Sequence, residues 1–298
     1  MQVAGQQQQQ QQQQRQQEGP SRQRQPALLA NQQVWAEIEA AGTEADKLER
    51  SGQRDDAIQL LTQTLARLEQ DHAADFDLVV LRQMLWDALY AAERHREALV
   101  VAAQVFSAVQ ERFGNDSAEL QLVAVRLGIS SAACGRLEAG LKLIYDAAPV
   151  LQHNLSRMVE QAQAAAAQGG LDEQAAATLQ ETVDKLAAAL GEANFYGSVF
   201  TIRHAAATQR AAGVVEGWQE LQAILVSGFA SLVAIAGGPD GSAVANALRE
   251  HDRLAYDMGA EPLLARLVKA QNEWLHEVRE QGSSHPIFQQ IASAQLGG

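Results

Sequence analysis

With 298 residues, 47% of them hydrophobic but only 5% aromatic, and with six prolines, the chain has material for one large or two ordinary domains of closely packed helices, and little for a β-rich fold. The net charge is −13, and because Arg15, Arg22 and Arg24 stand against Glu18 in the first thirty residues, the acidity lies in the remainder; such a body repels phosphate backbones, so no nucleic-acid partner is expected. A single cysteine, Cys134, excludes an intrachain disulfide and any cysteine-based zinc site.

Residues 1–30 open with "MQVAGQQQQQQQQQRQQEG", which has no apolar run of signal-peptide length and cannot bury enough surface to fold; a disordered glutamine-rich tail is expected. From residue 31 the pattern turns helical. "DKLERSGQRDDAIQLLTQTLARLEQ" lies over "MLWDALYAAERHREALVVAAQVFSAVQERFG" at a shift of 41, placing Gly52 on Glu93 and Ala57 on Ala98. That segment lies over residues 126–156 at a shift of 42, placing Leu85 on Leu127, Ala98 on Gly140 and Leu99 on Leu141. Each copy reads as helix, tight turn, helix, with a small residue at the helix crossing (Ala57, Ala98, Gly140) and a large apolar one behind it (Ile58, Leu99, Leu141). One such hairpin cannot hide its apolar face alone, so the copies must stack. Asp116 or Ser117 is placed to cap the helix that follows it. Cys134, just before the turn at Gly135, reads as a small core residue.

The pattern resembles the tetratricopeptide repeat in its longer form. In the third copy Leu127 and Gly128 match that family's Leu-Gly pair, Gly140 and Ala147 its small positions, and Ile144 replaces its large aromatic. The order of features is also similar to the C-terminal helical domain of the SET- and MYND-containing (SMYD) lysine methyltransferases: "LERSGQRDDAIQLL", "DHAADFDLVVLRQMLWDAL", "HREALVVA", "ERFGNDSAELQLVAVRLG" and, near the end, "EQGSSHPIFQQIASA" with His285 and Pro286. Kinesin light chains share these loops. Neither the methyltransferase Asn-His-x-Cys type motif nor the cysteines of a MYND finger occur in this chain, so the resemblance implies an accessory part that recognises a substrate or chaperone, its catalytic half lying elsewhere.

Beyond residue 152 three more hairpins are expected, turning around Gly169–Gly170, Gly213 and Gly259, either as degenerate repeats over 153–298 or as a separate helical bundle. The uncharged run from Leu221 to Pro239 has a dense apolar part of 14 residues, short of the about 20 that a bilayer span needs, and reads as a buried core helix. "GGPDGS" at 237–242 reads as a loop whose Ser242 caps the next helix.

No catalytic or cofactor motif is present. The seven histidines are scattered, none at i and i+4 from another, and no metal or cofactor is expected. "EHD" at 250–252 puts its acids on other helix faces than His251, and reads as a solvated surface. The resemblance to tetratricopeptide repeats implies that the first helix of each hairpin lines a concave groove. This puts Asp46 and Glu49 from the first copy, Gln83, Asp87 and Tyr90 from the second, and Val125, Arg126 and Ile129 from the third on that face. A mostly acidic groove suits a basic or amphipathic peptide. The expectation is therefore an all-α stack of antiparallel hairpins: repeats over 31–152, further hairpins to 298. It would act as a cytoplasmic or nuclear, non-catalytic scaffold for a protein segment, with membrane attachment disfavoured.

Overall fold

The computed structural model describes residues 21–70, 78–115, 117–167, 172–208, 211–235, 241–257 and 262–286. The polyglutamine run, Asp116, the turn at Gly169–Gly170, residues 237–240 and Gly259 lie outside them. The described residues form helices joined by turns, with no strand among them. The fold is all-α, made of antiparallel helix hairpins. It divides into two compact units, Met1–Ala88 and Leu89–Gly298.

In the first unit α1 (Ser21–Arg50) packs on α2 (Arg54–Gln70). Helix α1 begins at Ser21, so residues 21–30, expected with the tail, are helical. Ile38, Ala41 and Ala45 on one stripe of α1 are buried, as are Ala57, Ile58, Leu61, Leu65 and Leu68 of α2. The spacing of three and four residues within each set is the apolar stripe of a helix that faces a core. Leu78, and Leu81 and Leu85 from α3 (Val79–Ala91), complete this core. Arg82, on the same helix, has its side chain almost wholly buried and meets Glu69 at 2.9 Å.

The second unit runs from the end of α3 through α4 (His95–Phe113), α5 (Ala118–Ala133), α6 (Leu137–Ala167), α7 (Glu173–Ala207), the short α8 (Ala211–Glu216), α9 (Trp218–Ile235), α10 (Ser242–Asp257) and α11 (Pro262–Gln281), closing on a 3-10 turn, Gly282–Ser284. Consecutive long helices pack on one another, α4 on α5, α5 on α6 and α6 on α7; α7 then carries α9, and α10 pairs with α11. Two expectations fail here. A single 31-residue α6 replaces the end of one expected hairpin and the start of the next, with Pro149 inside it. Gly213 is not a turn but lies within α8. Ser242 is the first residue of α10. Ser117, as expected, caps α5: its hydroxyl accepts from the Leu120 amide at 3.2 Å, a contact worth about 1 kcal/mol.

The repeat is visible in the turns themselves. Gly52, Glu93 and Gly135 all take a left-handed backbone, with φ of 81°, 62° and 85°. In each case that residue's N–H donates three residues back (to Glu49, Tyr90 and Ala132), and the next N–H donates five back (to Leu48, Leu89 and Ser131). This is the Schellman closure of a helix C-terminus, made three times at the 41- and 42-residue spacing read from the sequence. Glycine makes it without strain, whereas glutamate at 93 carries about 1 kcal/mol of left-handed strain. The Glu93 carboxylate, however, takes a hydrogen bond from Arg253 of α10. Glu93→Gly should therefore change stability little in the native background, since a half-exposed ion pair is worth up to about 1 kcal/mol. In an Arg253→Ala background the same change should add about 1 kcal/mol. A double-mutant cycle by denaturant unfolding checks this; equal effects in both backgrounds would refute it.

Two crossings are held by glycine pairs. Where α5 meets α6, a Cβ on Gly140 would lie 2.5 Å from the Gly128 carbonyl oxygen, and one on Gly128 would lie 2.8 Å from the Gly140 carbonyl oxygen. Where α7 meets α9, a Cβ on Gly228 would lie 2.7 Å from the Gly191 carbonyl oxygen. By length and composition α9 could cross a membrane. In the fold it buries Trp218, Leu225, Phe229, Leu232 and Val233 along one face and leaves Ile224 and Ile235 at the surface.

Candidate functional site

The expected groove residues separate between the units. In the first unit Asp46 is exposed on α1 and paired with Arg50 at 2.8 Å, while Glu49, Gln83 and Asp87 are half-buried. Burial pushes the Glu49 carboxyl above its ordinary range, and Asp87 and then Asp46 push it further, with Arg54 acting in the opposite sense. A carboxyl raised in this way is most compatible with the fold when protonated. Its contribution to stability is lost as pH rises through its folded value.

In the second unit the groove reading is corrected. Tyr90 is only 2% exposed; its ring stands edge-on to Tyr196 of α7, centroids 6.2 Å apart, and 4.9 Å from that of His95. Val125 and Ile129 are fully buried, and Arg126 faces Glu192 of α7 at 3.8 Å. The physical reason is α7 itself, which packs on both α5 and α6 and covers the face that a peptide would need. The signal was present in the sequence: tyrosine, valine and isoleucine on a nominally solvent-facing stripe need a cover.

A polar cluster that the sequence had suggested was a solvated surface is in fact interior. Glu250 is 3% exposed and His251 fully buried. Glu250 accepts from Arg203 of α7 at 3.3 Å and from Arg253 at 3.4 Å, and Arg253 also meets His95 at 3.2 Å. Arg249 donates to the Ala91 carbonyl at 2.5 Å. His251 sits between Asn272 and Gln271 of α11, at 3.0 and 3.1 Å. Burial lowers the pKa of His95 as well as that of His251. The stripe Val244, Ala247, Leu248, His251, Leu254 is regularly spaced on one face of α10, and this was the overlooked clue that His251 faces inward.

No group of three or more His, Cys, Asp or Glu among the described residues could hold a metal. Cys134 ends α5 half-buried, with its thiol pushed up by burial, the reverse of an activated nucleophile. His285, from the loop that carries the methyltransferase resemblance, packs edge-on to Trp274 at 5.3 Å.

No protein-family profile matches the chain, and no curated protein matches it. Among solved structures it is similar to a kinesin-light-chain-type chain of nearly identical TPR-like repeats from Podospora anserina, at 14% identity and a TM-score of 0.39, over 82% of this chain and 96% of that one.

Proposed function

We propose that the protein is a non-catalytic scaffold that takes a basic protein segment on the acidic face formed in its first unit by Asp46, Glu49, Gln83 and Asp87. The observation that carries this reading is the pushed-up Glu49 carboxyl. Two half-buried carboxylates, Glu49 and Asp87, stand there with the exposed Asp46, and a lysine or arginine from outside would lower the energy of the Glu49 charge. A stack of helix hairpins offers extended faces that suit a chain segment better than a small molecule. The acidic body as a whole would speed the approach of a basic partner.

The test is fluorescence anisotropy with a labelled lysine-rich peptide on the full chain. We expect saturable binding that weakens as salt rises, and about tenfold weaker binding for the double variant Glu49→Gln, Asp87→Asn. A glutamate-rich peptide should not bind. If the double variant binds as well as the native protein, the face is wrongly placed; if the glutamate-rich peptide binds equally, the basic-segment reading fails.

A further inference from the structure

The interface between α10 and α11 contains a built proton-sensitive element. His251 is fully buried there, and each ring nitrogen faces a side-chain amide of α11. A neutral imidazole donates from one nitrogen and accepts at the other. The Asn272 amide nitrogen is committed, donating to Asp252 at 2.7 Å, so the Asn272 oxygen faces Nδ1 and fixes the proton on that nitrogen. Nε2 then presents a lone pair to the Gln271 oxygen at 3.1 Å, two acceptors facing one another. The Gln271 amide nitrogen is buried with no hydrogen-bond partner among the described residues. Two changes resolve this conflict. The Gln271 amide can turn over and donate to a neutral ring, or the ring can take a second proton and donate to the Gln271 oxygen. Gln271 thus has one orientation for each protonation state.

The surroundings decide between them. From α7, Phe195 stands 6.5 Å from the ring, and the nearby Arg203 is engaged with Glu250. On α10, Glu250 points to Arg203 and Arg253, and Asp252 reaches the ring only through Asn272. On α11, His276 sits on the far side of Asp252, at 3.2 Å. Helix α9 turns Phe229 toward Phe195, and its one carboxylate, Glu220, is exposed in the first turn. Glu216 of α8 is exposed, and His95 of α4 faces Arg253. Among the described residues no carboxylate is hydrogen-bonded to the ring, so a second proton creates a charge that hydrogen bonds solvate only in part.

We propose that His251 is a buried proton sensor that sets the grip of α11 on α10, closed with a neutral ring and loosened when the ring is charged. Burial lowers the affinity of the ring for its proton, and this outweighs the opposing pull of the Gln271 and Asn272 bonds and of Asp252. The sign follows: the loosened state binds protons more readily, so the closed state loses ground as pH falls below the ordinary histidine value of about 6.5.

The test is hydrogen exchange of α11 amides in the full chain, corrected for intrinsic rate, at about pH 7.5 and about pH 5.5. We expect protection in α11 to fall about tenfold at the lower pH, with α5 and α6 unchanged. The variant His251→Gln should show no such fall, and His276→Gln should keep it. If His251→Gln loses as much protection as the native chain, or the native chain loses none, the proposal is overturned. Should His251→Gln not fold, the nitrogen shifts of the native ring decide the matter. Titration below the ordinary histidine value in step with the loosening supports it; titration at or above that value, or a ring that stays neutral while α11 loosens, overturns it.

Discussion

Alanine at Phe195 lowers the stability of the second unit by about 4 kcal/mol and its unfolding midpoint by about 12 °C. Phe195 is fully buried and lies where three helices meet. Its ring stands 5.4 Å from that of its neighbour Tyr196, 5.7 Å from Phe229 of α9 and 6.5 Å from His251 of α10. Tyr196 extends the series to Phe200 and Tyr90. Truncation removes the transfer energy of a ring and leaves a cavity that three helices, each held elsewhere, cannot close. Phe195→Leu, which keeps most of the volume, should lose less than half as much. Thermal unfolding followed by circular dichroism reads both; equal losses for alanine and leucine would show that the site is not limited by its cavity.

Alanine at Gly140 should cost about 3 kcal/mol, although it adds one methyl group to a helix that favours alanine. The new Cβ would meet the Gly128 carbonyl oxygen at 2.5 Å and both the Cβ and the amide nitrogen of Ala132 at 2.8 Å. Two of those three atoms are backbone, so no rotamer change relieves the contact and α5 must move off α6. The control is Gly135→Ala, whose Cβ would meet nothing within 4 Å. It carries only the left-handed strain of its turn, about 1 kcal/mol. Denaturant midpoints at constant slope separate the two; equal effects would mean that the close crossing is not what constrains residue 140.

The sequence carried the repeat well because the repeat is a local matter. The shift of 41 and 42 residues matched Gly52, Glu93 and Gly135, and these three close the same backbone turn. The cap at Ser117 was equally legible. What failed was non-local. A turn was expected at Gly213 and a break after residue 152, but both places lie inside helices whose continuation is decided by packing. Tyr90, Val125 and Ile129 were placed on an open face because the repeat pattern was followed over their own apolar character, which called for a cover such as α7. His251 was assigned outward from the charges beside it, when its place on the stripe from Val244 to Leu254 was the stronger signal.

The crossing of Gly128 and Gly140 has a consequence for how this protein can change over time. Each glycine faces the main chain of the other, with the Ala132 Cβ also against Gly140 and the Ile144 side chain against Gly128. A second mutation at one position therefore cannot relieve a substitution at the other, because every amino acid brings the same carbonyl oxygen. Selection for suppressors of a Gly140 substitution should return true revertants, or changes that shift a whole helix, and none at residue 128. Most core positions drift in compensating pairs; these two are tied together so that neither can move first.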